Sequence, residues 1–499
     1  MADSPITIPE PQGVLVEPWS FGKLRRLAAL FGPAAIVASV AIGAGETIVV
    51  VEAGSWAGYD LLWLVLASVL VKGICVTYLL GRYTAVSGEP IGQRLVRVPG
   101  PRGWVLWLII ALDLGAAGPL WAAVARPCGD LLFYLAQLSG LLSAATDTGW
   151  SAEAWSALLA STFVLAALGL GVSQSFRWME RQQIWICAIL VVGTIVGTLI
   201  VRPDFAATLI GSFSLGKFPE PLPPWAPTSA REHPLLTMAT AFGYVGSSVM
   251  GYLAYTNWIS LHGWGLCGHP DIAAIRRRAA AGSPRDYLPN DPRQADRMRR
   301  LLMPLRLDVG LGAVVLWIVT AAFMLAGAAV LYPMLADGQI AAAFQGWNLL
   351  TDQAYVWRSI HPALVWLYYL CILAALWGTL QVYPQVYTRV THEFFTAMWP
   401  DRSFPLYRFR IALAAYVLAT TLPLLWADVE FSTLTAIVAF LATNAGVAVA
   451  LVAALYLDRQ LPPLYRTRPW MFAAGVAAAI VLFTVSATSG WGIAARFAG

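Results

Sequence analysis

Residues Leu30–Tyr59 read LFGPAAIVASVAIGAGETIVVVEAGSWAGY. The stretch is long and apolar enough to cross a hydrocarbon core about 30 Å thick. Its middle nevertheless holds Gly43, Ala44, Gly45 and Glu46, two helix-weakening glycines beside a carboxylate. Each glycine costs a helix about 1 kcal/mol relative to alanine. A charge at the bilayer centre costs about 3 kcal/mol or more, so a carboxylate there usually serves function. A later run, Thr240–Ile259 (TAFGYVGSSVMGYLAYTNWI), has Gly243, Gly246, Ser247, Ser248 and Gly251 at similar depth. Paired glycine-interrupted spans in matching halves of a chain point to a solute or ion site. Unwinding frees carbonyl and N–H groups, which membrane proteins tolerate only where they line a cavity or are buried in protein. Glycine alone would fit close helix packing as well. Glu46 beside the break tips the reading toward a site.

The rest of the chain agrees with a membrane setting. Of 499 residues, 59% are hydrophobic and 12% charged, against about 25% charged in soluble domains. So little charge cannot cover several soluble globules, and so much apolar surface excludes disorder. A net charge of +5 over this length makes no basic face, which excludes nucleic acid as a partner. Five cysteines stand singly, without disulfide or zinc-finger spacing. Several of the 22 tryptophans (Trp104, Trp107, Trp317, Trp470, Trp491) sit near the ends of apolar runs, as in an interfacial belt. No Walker A motif, nucleophile elbow or dinucleotide fingerprint appears, so neither ATP-driven transport nor an enzyme is supported and no cofactor is implied.

Hydropathy predicts eleven spans, at 28–55, 60–85, 104–135, 153–173, 182–201, 235–265, 306–331, 363–387, 407–427, 431–457 and 470–493. They fall into a tail (1–27), a first five-helix repeat (28–201), a connecting loop (202–234), a second repeat (235–457) with an Arg-rich loop (266–305), and an eleventh helix with the C-terminus (458–499). The tail has no apolar segment after a charged start and reads as cytoplasmic, not as a signal peptide. Arg202, Lys217, Arg231, Arg358 and Arg496 fall on one side, and Lys72 and Arg126 inside spans. The other 25 of the 32 basic residues fall on the opposite side. That asymmetry places the N-terminus in the cytoplasm and the C-terminus outside, in a multi-pass protein of the plasma (inner) membrane. The Arg-rich loop reads as topogenic, with contact to anionic lipid as the lesser alternative.

Phe31–Lys72 (FGPAAIVASVAIGAGETIVVVEAGSWAGYDLLWLVLASVLVK) resembles the first two helices of the NRAMP divalent-metal transporters, through its Gly-Pro, its AGS-x-x-GY-x-LLW stretch at Ala53–Trp63 and the break between them. The match is specific over 30–95 and 240–260. The resemblance implies a LeuT-like fold: an all-α polytopic membrane protein with a 5+5 inverted repeat, discontinuous helices 1 and 6, and an eleventh helix. It also implies secondary transport of a divalent cation, held between helices 1 and 6. The departures are specific. Where the family carries Asp-Pro-Gly-Asn, with Asp and Asn as ligands, this chain has Gly43, Ala44, Gly45 and Glu46. Where it carries Met-Pro-His-Asn, this chain has Met250, Gly251, Tyr252 and Leu253, and a second family histidine falls at Asn257. Of the family's helix-3 acid pair, Asp113 remains and Ala116 takes the other place. Weak or absent proton coupling is the expectation.

The candidate ion-binding residues are therefore Gly43, Ala44, Glu46, Met250 and Tyr252, with Glu46 and Met250 as metal ligands. Lys72, Asp113 and Asn444 are candidates for the pathway or for coupling. Ser247, Ser248 and Thr443 are further polar lining. Glu46 suits a hard cation such as Mg²⁺ or Mn²⁺, and its alternative is a structural pair with Lys72, too deep in its span to snorkel. Met250 is either a soft thioether ligand or an apolar filler. Arg126 and Asp130, four apart, read as a structural pair. His262, Cys267 and His269 read as loop residues rather than a zinc site. The rival reading keeps the fold and replaces the metal by a small organic solute.

Overall fold

The computed structural model describes residues 5–28, 43, 45–142, 149–339, 349–358, 360–427 and 429–498. All regular structure among them is helical. Past the first break the chain forms α1 (Val50–Ala57), then α2 (Leu62–Ser87), α3 (Trp104–Leu138), α4 (Ala152–Ser173) and α5 (Phe176–Val201). A connecting stretch with the short helix Phe205–Phe213 leads to α6 (Pro234–Tyr244) and α7 (Val249–Leu261). Then come α8 (Met303–Ala326), α9 (Pro362–Met398), α10 (Leu406–Trp426), α11 (Phe431–Arg459) and α12 (Pro469–Ala498). Nine helices among the described residues are long and apolar enough to cross a membrane. The order is that of a LeuT-like 5+5 repeat with an added final helix, in a multi-pass membrane protein.

The sixth run is two helices, α6 and α7, separated at Val245–Ser248, where the glycine-serine cluster placed the break. The first half of the 28–55 span lies outside the described residues; elsewhere the predicted ends fall close to the helix ends, with one clear exception. α9 was expected to stop near 387 and continues to Met398. Hydropathy reports the thickness of the membrane, whereas a helix continues for as long as its backbone bonds are satisfied.

Burial sorts the helices. Two-thirds of the apolar window of α3 and of α11 is buried (67% each), against 7% for the 181–201 part of α5. α3 and α11 therefore form the interior, and α5 turns its side chains to the surroundings. Among the described residues four stretches widen into π-helix: Gly45–Val49, Val69–Val76, Gly327–Leu331 and Ala439–Ala445. Such widenings concentrate at functional sites, and three of these four adjoin the two breaks.

The Arg-rich loop is folded, with helices at Ile272–Ala281 and Pro292–Leu301. Its Arg285 and the nearby Arg94 hold the fully buried Glu89, at Nε–Oε2 distances of 3.4 and 2.8 Å. Arg82 is paired with Asp458 at 2.6 Å. The N-terminal tail lies on this platform: the Ile6 N–H donates to the Tyr287 carbonyl (2.9 Å), and the Ile8 N–H to Gln294 Oε1 (2.8 Å).

Candidate functional site

The second break is fixed by Gly246. Its φ is 106°, a conformation that side chains with a Cβ rarely adopt. A Cβ there would also lie 2.6 Å from the Tyr252 hydroxyl. Tyr252, one turn into α7, curls back so that its hydroxyl accepts the Ser247 N–H at 3.1 Å. Sequence and backbone thus agree on where the helix must open.

The first break lies against the second. Gly43 is in a turn whose carbonyl accepts both the Thr47 N–H (3.1 Å) and the Thr47 hydroxyl (2.7 Å). A Cβ on Gly45 would come within 2.6 Å of the Tyr244 carbonyl oxygen, so only glycine lets the two breaks approach this closely. Ala44 and residues 29–42 lie outside the described residues, as does the side chain of Glu46, whose backbone belongs to the Gly45–Val49 π-turn.

The last carbonyls of a helix have no intrahelical donor and form the negative end of its dipole. At the end of α6, Lys72 supplies the donors. It is fully buried, and Nζ donates to the carbonyls of Phe242 (2.8 Å) and Gly243 (2.7 Å). Nζ also stands 5.2 Å from the centre of the Phe242 ring. One turn earlier on α2, the Ser68 hydroxyl lies 2.9 Å from both the Phe242 and Val245 carbonyls. Both side chains project from α2 where it passes into its π-helical stretch.

The start of α7 offers the opposite polarity. Ser248 is its N-cap residue, but its side chain makes no capping bond. The carboxylate facing this end is Asp113, fully buried on α3, close to the Ser248 hydroxyl, the Met250 amide and the Tyr387 hydroxyl. Neither Asp113 oxygen has a hydrogen bond of normal geometry, and neither do the Ser247, Ser248 and Tyr387 hydroxyls. Buried polar atoms of this kind are normally satisfied. This cluster is the densest exception near the breaks.

The remaining sequence candidates are also placed. Met250 is fully buried in the apolar core at the start of α7. Asn444, in the Ala439–Ala445 π-stretch, donates to the Ala239 carbonyl at 3.4 Å, while its Oδ1 is buried without a partner. A Cβ on Gly243 would meet Asn444 Nδ2 and Thr443 Oγ1 at 2.9 Å, which shows how tightly α11 seats on α6. Asn257, in the place of the second family histidine, faces the carboxylate of the half-buried Glu393. Arg126 and Asp130 approach at 3.9 Å, and Arg126 also donates to the Leu425 carbonyl at 2.8 Å. His262, Cys267 and His269 each contact a different backbone carbonyl: Trp258, Thr84 and Thr7. Burial pushes the Cys267 thiol up to about 11. Among the described residues no three His, Cys, Asp or Glu side chains gather as a metal cluster.

Between the breaks lies a cavity of 30 Å³ whose lining includes Gly43, Gly45, Tyr244, Gly246, Ser248 and Thr379. A second cavity, of 50 Å³, lies among α1, α6 and α11, with Glu52, His233 and Arg496 in its wall. Sequence reasoning missed Ser68, Tyr387, Thr379 and Glu52. Ser68 was within reach, since it lies one turn from Lys72 on the same face. Tyr387 and Thr379 carry no local signal, because a hydroxyl on a long helix becomes informative only once its neighbours are known.

Comparison with known proteins adds the following. A family model described as Nramp, natural resistance-associated macrophage protein-like, matches residues 34–492. The divalent metal cation transporter MntH of Chromohalobacter salexigens is 32% identical over 243 residues, which is 47% of this chain and 47% of that one. The chain thus spans about half the length of this curated relative. A crystal structure of the Eremococcus coleocola manganese transporter, in complex with an aromatic bis-isothiourea substituted compound, superposes with a TM-score of 0.63. The match covers 100% of this chain and 91% of that one at 13% identity. A point variant of the same transporter gives a TM-score of 0.65 at 14% identity, over 100% and 92% of the two chains.

Proposed function

Because the chain belongs to the Nramp family, we propose that it is a secondary transporter or facilitator carrying divalent metal cations of the Mg²⁺ or Mn²⁺ class by alternating access. The cavity between the breaks carries this reading. At 30 Å³ it holds about one or two waters, the size of a nearly dehydrated ion. A small organic solute would need about 300 Å³ or more, so the rival reading is the weaker one. The backbone carbonyls and hydroxyls in the walls are oxygen donors, as Mg²⁺ and Mn²⁺ prefer. On this reading Glu46 supplies the anionic oxygen at the first break, and Met250, at the start of α7, is the soft ligand. The similarity to a divalent metal cation transporter and to a manganese transporter supports the substrate class.

The repeats 28–201 and 235–457 then supply one broken span each, with the N-terminus in the cytoplasm and the C-terminus outside, in the plasma membrane. Proton coupling is weak or absent on this reading. Tyr252 and Asn257 stand where the family has histidines, and Ala116 where it has a glutamate. The test is uptake of Mn²⁺ and Mg²⁺ into liposomes holding the purified full chain. Uptake is expected, and Glu46→Gln is expected to abolish it. Unchanged uptake in that variant would remove the assignment of Glu46, and no uptake by folded wild type would remove the transport reading itself.

A further inference from the structure

An ion site in a broken membrane helix is built from the backbone carbonyls at the end of the first half-helix. Here those carbonyls are engaged by the protein itself. Lys72 Nζ lies 2.8 Å from the Phe242 carbonyl oxygen and 2.7 Å from that of Gly243. Ser68 Oγ ties the same Phe242 oxygen to that of Val245, each at 2.9 Å. The Phe242 ring gives Nζ an aromatic wall at 5.2 Å. A Cβ added to Gly246 would approach Lys72 Cε to 3.6 Å, so the turn between the half-helices is folded around the lysine stem. Carbonyl oxygens, a helix C-terminus and an aromatic face each favour positive charge. Together they are what a protein offers a small monovalent cation.

We propose that Lys72 is a tethered cation: its ammonium group permanently fills a carbonyl cage at the end of α6 that is built to hold a primary ammonium ion. The cage closes the C-terminal end of α6 without an exchangeable ion. It also withdraws the Phe242 and Gly243 carbonyls from the transported metal, whose oxygen donors must then come from the first break and from the start of α7. Lys72 is in this sense a positioning residue. The proposal deepens the transport reading and rests on it only for that last consequence.

Chemical rescue tests it. Lys72→Ala empties the cage, and n-propylammonium supplies the missing carbons and nitrogen. Thermal unfolding of the full-length variant in detergent is expected to show a lowered Tm. Propylammonium chloride should restore more than half of that loss, tetramethylammonium chloride should not, and neither salt should move the wild type. A folded Lys72→Ala protein that responds equally to both salts, or to neither, overturns the proposal. If Lys72→Ala does not fold, Lys72→Met and Lys72→Arg decide, since methionine keeps the stem without charge and arginine keeps the charge. Arg above Met in Tm supports the tethered cation, and Met equal to wild type or to Arg overturns it. A Mn²⁺ titration of the wild type on the same preparations keeps the two readings apart. Absence of metal binding removes the transport reading and leaves the ammonium rescue as it was found.

Discussion

The two ends of the broken sixth span are treated in opposite ways. At the end of α6 a buried cation makes two short bonds to free carbonyls, and a neighbouring serine takes up the rest. At the start of α7 a buried carboxylate faces two hydroxyls and an amide, yet neither of its oxygens has a normal hydrogen bond. One end is a finished structural joint, and the other has bonding capacity in reserve. On the proposed transport reading both are needed: the joint holds the half-helices in register, and the unsatisfied end is where an incoming ion, or its water, would be exchanged.

Substitutions can break this contrast or sharpen it. Gly246→Val should have the largest effect. It puts a branched side chain at a φ of 106° and against the Tyr252 hydroxyl, costing about 3 kcal/mol or more. Loss of monodisperse folded protein on size-exclusion chromatography is expected, and a wild-type Tm would show that the break is not held in this form. Tyr252→Phe comes next. It leaves the buried Ser247 N–H without its acceptor, at about 2 kcal/mol. If its Tm matched wild type, the turn would not depend on that bond.

Ser68→Ala probes the joint from its weaker side and should cost about 1 kcal/mol, read as a small drop in Tm. Asp113→Asn is expected to change stability least, by less than about 1 kcal/mol in either direction. Its carboxylate has no full hydrogen bond to lose. A destabilisation by Asp113→Asn larger than that of Ser68→Ala would abolish the distinction between the finished end and the open one.

Much of this was legible in the residues alone. Gly43, Gly45 and Gly246 marked both breaks, because few residues other than glycine tolerate an unwound turn that another backbone must approach. Lys72 stood out because charge inside an apolar span is costly, and Asp113 through the resemblance to the family's helix-3 acid pair. What they touch was not legible. Lys72 is read beside Glu46 on the preceding span, whose side chain lies outside the described residues, and the carbonyls it also holds lie 170 and 171 positions away and are reached only through the packing of α2 on α6. The π-helical widening at Val69–Val76, which carries Lys72, and that at Ala439–Ala445, which carries Asn444, left no mark on hydropathy. The extension of α9 to Met398 lay beyond the apolar run that defined the span. Periodicity and glycine report on one helix at a time, and the site is a property of several.

The 30 Å³ cavity also has a kinetic consequence. With room for about one or two waters, an ion carried as proposed would have to shed most of its hydration shell before it is enclosed, and the energy of that step would enter the barrier to its transport. Mg²⁺ gives up its waters reluctantly. At equal affinity, the rate at which each aqua ion exchanges its waters would therefore set the order in which metals cross, and a manganous ion would be carried ahead of magnesium.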